Sequence, residues 1–140
     1  MTIWKIRPDT VAVSQMQEHT IASVLGIRIT EFGDDFVRGT MPVDRRTHQP
    51  MGILHGGASV VLAESLGSLA ANLCVDASKQ YCVGLDINAN HIRAVRSGVV
   101  TGTARPVHLG RTTQVWEIRI EDEAGKLVCL SRLTMAVLER

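Results

Sequence analysis

One long apolar segment near the middle of the chain limits the possible folds more than any other feature. Between Ala58 and Leu73 the apolar residues recur with the spacing of an α-helix, and Gly56 and Gly57 stand just before them. The segment carries a single charged residue, Glu64. A helix of this composition exposes apolar sides unless other parts of the chain cover it, so we expect it to lie inside the fold.

The remainder of the chain supplies strands for that cover. Runs of β-branched and alternating apolar residues predict six strands, separated by clusters of glycine and polar residues. The predicted strands span residues 27–30, 36–43, 81–91, 98–108, 112–121 and 126–138, and two short helices span 9–19 and 20–25. The first two strands form a hairpin and the last four an antiparallel meander. The predicted fold is α+β: a single domain over residues 1–140, with a curved antiparallel sheet wrapped around one long central helix.

Composition argues against several broad classes of function. The formal net charge of +1 gives no general attraction to nucleic acid or to an anionic membrane. Cys74, Cys82 and Cys129 are odd in number and lack metal-ligand spacing, which favours buried thiols over a disulfide framework or a zinc site. No basic start followed by a long apolar run marks a signal peptide, and polar residues interrupt the central helix too often for a membrane span. We expect a cytoplasmic protein that needs no metal or other cofactor.

Two groups on the predicted helix indicate chemistry. The amide N–H groups at its start, around Gly56, have no acceptors within the helix and suit a carbonyl oxygen that becomes an oxyanion. Glu64 follows two turns later among small and apolar residues, where a carboxylate without a partner is costly to bury. This combination is typical of acyl transfer. The alternative is a helix that uses its glycines only for close packing and holds Glu64 at an exposed edge.

The spacing of these two groups bears on assembly. Gly56 and Glu64 are ~12 Å apart along a helix axis, so one helix does not present both to the same carbonyl carbon. Two antiparallel copies of the helix, side by side, would set each helix start against the Glu64 of the other copy. The many small residues of the helix allow that close approach. We therefore expect a homodimer with its sites at the subunit interface.

Several motifs resemble those of a known family. They are Gln49-Pro50-Met51-Gly52-Ile53-Leu54-His55-Gly56-Gly57-Ala58-Ser59, Leu62-Ala63-Glu64-Ser65, Gly84-Leu85-Asp86-Ile87-Asn88-Ala89-Asn90-His91 and His108-Leu109-Gly110-Arg111. Together they resemble the hotdog-fold acyl-CoA thioesterases, in particular the bacterial branch with 1,4-dihydroxy-2-naphthoyl-CoA thioesterase of menaquinone synthesis and the proofreading thioesterase of enterobactin synthesis. The resemblance covers nearly the whole chain. It implies the hotdog fold and a homotetramer built as a dimer of dimers.

The resemblance also implies catalytic roles. Glu64 matches the catalytic carboxylate, acting either as the nucleophile or as a general base on water. Gly56 matches the residue whose backbone N–H polarises the thioester carbonyl, and Gln49 and His55 help to orient the reacting groups. Ser68, one turn beyond Glu64, could hydrogen-bond the carboxylate or the attacking water. Each of the last three has a structural alternative, since Gln49 and His55 could brace the loop and Ser68 could simply pack.

A further set of residues is implied to bind the substrate and its coenzyme A part. The set comprises Gly84, His91, Ile92, Arg93, Ala94, His108, Leu109, Gly110, Arg111, Thr112 and Thr113. Its cations, with Arg96, would meet the phosphates, and the amides of the turn at Gly110 could join them. The two basic segments are expected near one edge of the sheet. Taken alone, each arginine could equally be a solvated charge at a strand end.

The implied reaction is hydrolysis of an aryl- or acyl-CoA thioester to the free acid and coenzyme A. Benzoyl, naphthoyl and medium-chain fatty acyl groups all fit the sequence. Thioesters on a carrier protein share the pantetheine arm and are an alternative substrate. A hotdog dehydratase would need a histidine base, for which His55 is the candidate, whereas a non-catalytic acyl-CoA binder would have no need of a buried Glu64.

Overall fold

Nine elements form along the chain, close to the predicted bounds, in a computed structural model that describes residues 1–140. They are α1 (Thr10–Met16), α2 (Ile21–Val24), β1 (Arg28–Phe32), β2 (Val37–Pro42), α3 (Gly56–Leu73), β3 (Gln80–His91), β4 (Val99–Leu109), β5 (Thr113–Glu121) and β6 (Leu127–Glu139). The carboxylate of Asp9 caps α1 by accepting the N–H groups of Val11 and Ala12. This helix ends earlier than predicted, and the left-handed backbone at His19 (φ 63°) lies in the turn that follows it.

The six strands form one antiparallel sheet in the order β1-β2-β4-β5-β6-β3. The predicted meander is correct for β4, β5 and β6 but wrong for β3, which pairs with β6 instead of β4. The reason is the connection over residues 92–98, which crosses the start of α3 instead of turning back. There the N–H of Leu54 donates to the carbonyl of Val95 at 2.8 Å, and the N–H of Val43 donates to that of Gly98 at 2.8 Å. Alternation of apolar residues identifies a strand but not its neighbour.

The sheet curves around α3, which contacts five of the six strands. Leu62, Ala63, Leu66, Ala70 and Ala71 are fully buried along its inner side. Burial of a leucine such as Leu66 contributes roughly 2 kcal/mol to folding. The α+β fold with an antiparallel sheet around one long helix is thus confirmed.

Two paired glycines make room for this packing. Gly39 on β2 lies opposite Gly102 on β4, and a Cβ atom on either would stand within 2.9 Å of a Leu66 methyl carbon. A side chain at either position would push the helix off the sheet, because interiors are close-packed.

The three cysteines are free thiols. Cys82 and Cys129 are buried and Cys74 is half-buried. Burial raises the pKa of all three, that of Cys74 to about 12, so they stay protonated at neutral pH. The prediction of unpaired thiols instead of a disulfide framework is confirmed. No helix of the chain is long and apolar enough to cross a bilayer.

Candidate functional site at the start of the central helix

The first turn of α3 carries a backbone N–H without an acceptor. His55 is the N-cap, with extended backbone (φ −70°, ψ 130°), and its Nδ1 accepts the N–H of Gly57 at 2.7 Å. The N–H of Gly56 makes no hydrogen bond within the chain. Because Nδ1 is an acceptor, the His55 ring is the neutral tautomer with its proton on Nε2. The helix start therefore presents one free N–H donor, that of Gly56. The His55 side chain bonds to the backbone, which is the structural role considered for it from the sequence.

Gln49 lies in the loop that leads into the helix. Its side-chain oxygen accepts the N–H of Met51, and its own N–H donates to the carbonyl of Ile53 at 2.9 Å. Gly52 turns the loop with a φ of 78°, a conformation that favours glycine. The loop is closed by the N–H of His55, which donates to the carbonyl of Thr47 at 2.8 Å. Gln49 thus braces the loop with its oxygen and keeps its amide NH2 free.

Glu64 lies half-buried on the side of α3 that faces β3. A Cβ atom on Gly84 would stand 2.6 Å from its Oε2, so the carboxylate rests directly against that glycine. No hydrogen bond or ion pair joins Glu64 to another residue of the chain. Ser68 makes no bond to Glu64 either, and its carbonyl accepts the side-chain N–H of Asn72 at 2.9 Å. The carboxylate oxygens of Glu64 therefore keep their hydrogen-bond capacity for groups outside the chain.

A cavity of about 300 Å³ opens beside the helix start. It is lined by Ile53, Leu54, Gly56, Ser59, His91, Ile92, Arg93, Ala94 and Val128. The predicted residues Gly56, His91, Ile92, Arg93 and Ala94 are therefore brought together. The His91 ring lies against Gly56, since a Cβ there would stand 2.8 Å from its Nε2.

Ser59 is the functional candidate that sequence reasoning missed. Its side chain is buried, lines the same cavity and makes no hydrogen bond to another residue. Its position three residues after Gly56, on the same helix face, was the available signal. Ile53, Leu54 and Val128 gave no such signal, because their packing here depends on the tertiary fold.

The second basic segment lies elsewhere in the same chain. Leu109, Gly110 and Arg111, at the turn between β4 and β5, line a cavity at the opposite, C-terminal end of α3. His108 and Thr113 flank this turn, and the carbonyl of Thr112 accepts the N–H of Val137 at 2.9 Å. An 18-residue helix is ~27 Å long, so this turn is remote from His91 and Arg93. The expectation that the two basic segments share one edge of the sheet is wrong within a single chain.

Strand β3 is an open edge of the sheet. It pairs with β6 on one side and with no strand on the other. Its side chains Val83 and Leu85 are 39% and 62% exposed, and a β-bulge interrupts the pairing between Gly84 and Asp86. An exposed, long edge strand with apolar side chains is a template for pairing with another chain.

The chain is similar to known thioesterases. The model of the thioesterase superfamily matches residues 51–129. The 1,4-dihydroxy-2-naphthoyl-CoA hydrolase of Escherichia coli strain K12 is 54% identical over 136 residues, covering 97% of this chain and 99% of that protein. The proofreading thioesterase EntH of Cronobacter turicensis is 50% identical over 136 residues, covering 97% of this chain and 98% of that protein.

Solved structures agree with this result. A mutant thioesterase from Pseudomonas aeruginosa matches with a TM-score of 0.98 and 55% identity, covering 99% of this chain and 100% of that one. A thioesterase from Haemophilus influenzae matches with a TM-score of 0.96 and 51% identity, covering 99% of this chain and 96% of that one. The free amide at a helix start, the unpaired carboxylate and these likenesses lead to one conclusion. The chain belongs to the thioesterase superfamily, and it is a thioester hydrolase with the hotdog fold.

Proposed function

We propose that the chain hydrolyses aryl- or acyl-CoA thioesters to the free acid and coenzyme A. The carboxylate of Glu64 carries the proposal, because it has no partner within the chain and lies at an open strand edge. The free N–H of Gly56 donates a hydrogen bond to the carbonyl oxygen and stabilises the negative charge that develops there. Removing one such donor typically costs about 10²–10³ in kcat.

Two routes are open to Glu64. As a general base it takes a proton from water, whose oxygen attacks the carbonyl carbon while the thiolate of coenzyme A leaves. As a nucleophile it attacks that carbon itself, the thiolate leaves, and water then hydrolyses the mixed anhydride. Hydroxylamine trapping separates the routes, since only the anhydride would convert the Glu64 carboxylate to a hydroxamate.

We propose further that each site joins two chains of a homodimer. Within one chain Glu64 lies over Gly84 of β3, whereas Gly56 lies beside His91, seven positions further along that strand. Antiparallel pairing of two β3 edges, with Gly84 opposite the partner's His91, would bring Glu64 of each chain to Gly56 of the other. The two-fold axis then lies between Ile87 and Asn88. Edge pairing in this register also covers the exposed apolar residues of β3.

The same register supports a shared coenzyme A site. His91 is the last residue of β3, and in this register it lies opposite the partner's Gly84, so the residues that follow it continue toward the end of the partner's β3 that begins at Gln80. Arg93 and Arg96 of one chain thereby approach the end of the partner's sheet that carries the turn between β4 and β5. The two basic segments, remote within a chain, would converge on the phosphates from two chains. A dimer of such dimers is the assembly that the family resemblance implies.

Relatives suggest the substrate class. The names 1,4-dihydroxy-2-naphthoyl-CoA hydrolase and proofreading thioesterase belong to proteins at least 50% identical to this chain. We therefore propose an aryl-CoA as the first substrate to test and an aryl thioester on a carrier protein as the second. A role in menaquinone synthesis would follow from the first. The dehydratase alternative is weakened, because the Nδ1 of His55 is engaged as a helix cap.

The deciding experiment is Glu64→Gln, assayed by thiol release from benzoyl-CoA. We expect kcat to fall by about 10²–10⁴-fold, because the amide neither attacks nor takes a proton. A non-hydrolysable CoA thioether should still bind, as measured by calorimetry. Glu18→Gln, at an exposed position of the N-terminal region, is the matched control and should keep full activity. Undiminished turnover by Glu64→Gln would refute the assignment.

A further inference from the structure

The hydroxyl group of Ser59 is a buried polar group that no residue of the protein bonds. Ser59 is only 1% exposed, and its Oγ makes no hydrogen bond within the chain. Because no unbonded side-chain oxygen is sealed in the core, this Oγ faces the cavity that Ser59 lines. The other buried polar side chains all have partners: Thr47, Thr103, Gln114 and Ser131. A buried hydroxyl that stays free suits a ligand.

The walls of this cavity are fixed by backbone hydrogen bonds. The N–H groups of Ile92 and Arg93 both donate to the carbonyl of Val128, at 2.8 and 3.3 Å. The N–H of Leu54 donates to the carbonyl of Val95 at 2.8 Å and joins the segment before α3 to the same connection. The free hydroxyl of Ser59 is therefore held on the rigid start of a helix, in a space with a defined width.

The groups around the free hydroxyl suit a neutral amide. The N–H of Ala94, on another wall of the cavity, donates to no residue of the chain. Apolar side chains of Ile53, Leu54 and Val128 line the space, and no acidic side chain does. A hydroxyl both donates and accepts, so Ser59 and the N–H of Ala94 together match the N–H and carbonyl of one amide group. The apolar lining matches the methylene groups on either side of such an amide.

The position of Ser59 relative to Gly56 indicates which amide this is. Ser59 lies three residues beyond Gly56 on the same helix face, ~4.5 Å along the axis. The proposed function places the thioester carbonyl at the N–H of Gly56. In thioesters of coenzyme A and of carrier proteins, only the sulfur and two methylene carbons separate that carbonyl from an amide nitrogen, and this linker spans a similar distance. Arg93, proposed to meet the phosphates, lines the same cavity, which therefore lies on the thiol side of the carbonyl.

We propose that Ser59 selects the thiol part of the substrate by binding the amide nearest the sulfur. Its Oγ accepts the N–H of that amide and so holds the thioester carbonyl against the N–H of Gly56. The preferred substrates are thioesters whose thiol carries an amide two carbons from the sulfur, whatever acid they release. This inference rests on the proposed function and names the group by which that site recognises its substrate.

The test compares two small thioesters of the same shape. One is S-(2-acetamidoethyl) thiobenzoate, and the other is S-(2-acetoxyethyl) thiobenzoate, in which an oxygen replaces the amide N–H. The parent should hydrolyse the first with a kcat/KM about 5–10-fold higher. Ser59→Ala should lower kcat/KM by about 5–10-fold for benzoyl-CoA and the acetamido compound, and by less than about twofold for the acetoxy compound. Ser23→Ala, at an exposed position of α2, is the matched control and should keep the parental values.

A binding measurement removes the dependence on turnover. The Kd of a non-hydrolysable CoA thioether, measured by calorimetry, should be about fivefold higher for Ser59→Ala than for the parent. Equal losses on the acetamido and acetoxy compounds, or no loss on either, would overturn the proposal. Hydrolysis of benzoyl-CoA by the parent would leave the thioesterase assignment standing in both cases. A parent that binds the thioether with this Kd difference but hydrolyses no thioester would refute the hydrolytic function and keep the amide contact.

Discussion

At the scale of single residues, the carboxylate of Glu64 packs directly against the backbone of Gly84. The carboxylate has no hydrogen-bond partner, so its position is set by packing against a residue without a side chain. A glycine in the middle of a strand weakens the strand, and it is found where another group must approach closely. The Glu64 carboxylate is the group that requires it here.

Gly84→Ala should therefore disable catalysis with little loss of fold. The new Cβ would stand 2.6 Å from Oε2 of Glu64 and push the carboxylate away from the reacting carbon. Displacements of this size cost about 100-fold in kcat. Thiol-release kinetics measure the effect, and Glu18→Gln, at an exposed position of the N-terminal region, is the control. Parent-like kcat in Gly84→Ala would show that the carboxylate is not held by this contact.

His55 stabilises the fold as the N-cap of α3, in addition to lying next to the proposed site. His55→Ala removes the acceptor for the N–H of Gly57 and should lower the free energy of unfolding by about 1 kcal/mol. His55→Asn should recover most of that loss, because asparagine is a strong N-cap. Urea denaturation at fixed protein concentration measures both variants. An alanine variant as stable as the parent would contradict the capping role.

At the scale of elements, one side chain ties α3 to the open strand. Asn72, on the last turn of α3, donates to the carbonyls of Ser68 and Cys82 at 2.9 and 3.2 Å and accepts the N–H of Cys82 at 2.8 Å. Cys82 belongs to β3, the strand that also carries Gly84. The helix and the strand that together position Glu64 are thus fixed to each other by hydrogen bonds as well as by packing.

Asn72→Ala should destabilise the protein by about 2–3 kcal/mol, since three hydrogen bonds are lost and the backbone groups of Cys82 lose their partner. Urea denaturation gives the value. Gln15→Ala, on the exposed side of α1, is the control and should stay within about 0.5 kcal/mol of the parent. If Asn72→Ala lowers the free energy of unfolding by no more than the control does, the hydrogen bonds of Asn72 do not hold α3 to β3.

At the scale of the whole molecule, the question is whether one chain or two form a site. Gly56→Pro removes the N–H at the first helical position, where proline is tolerated, and the extended backbone of His55 suits the residue before proline. The Cβ atom of the proline would meet the exposed side chain of His91. We expect Gly56→Pro and Glu64→Gln to be inactive when each is prepared alone.

Refolding these two variants together should restore activity. A mixed dimer has one site with an intact Gly56 and an intact partner Glu64, so random mixing should give about a quarter of the parental rate. Thiol release and the oligomer fraction from gel filtration measure the outcome. If each site were built within one chain, every chain in the mixture would carry a defect and no activity would return.

The sequence by itself determined the elements and the chemical groups of this protein. Apolar spacing of 3.6 residues placed α3, and alternation placed the strands. The lone charge at Glu64, in a helix whose start is rich in glycine, marked the chemistry. These features depend on residues near one another in the chain, so local physical chemistry is sufficient to read them.

Only the tertiary structure decided which distant residues meet. It put β3 at the sheet edge beside β6, laid Gly84 under Glu64, added Ser59 to the cavity and separated the two basic segments to opposite ends of α3. The physical reason is that strand order and the path of the connection over residues 92–98 follow from packing of the whole chain, which no local pattern encodes.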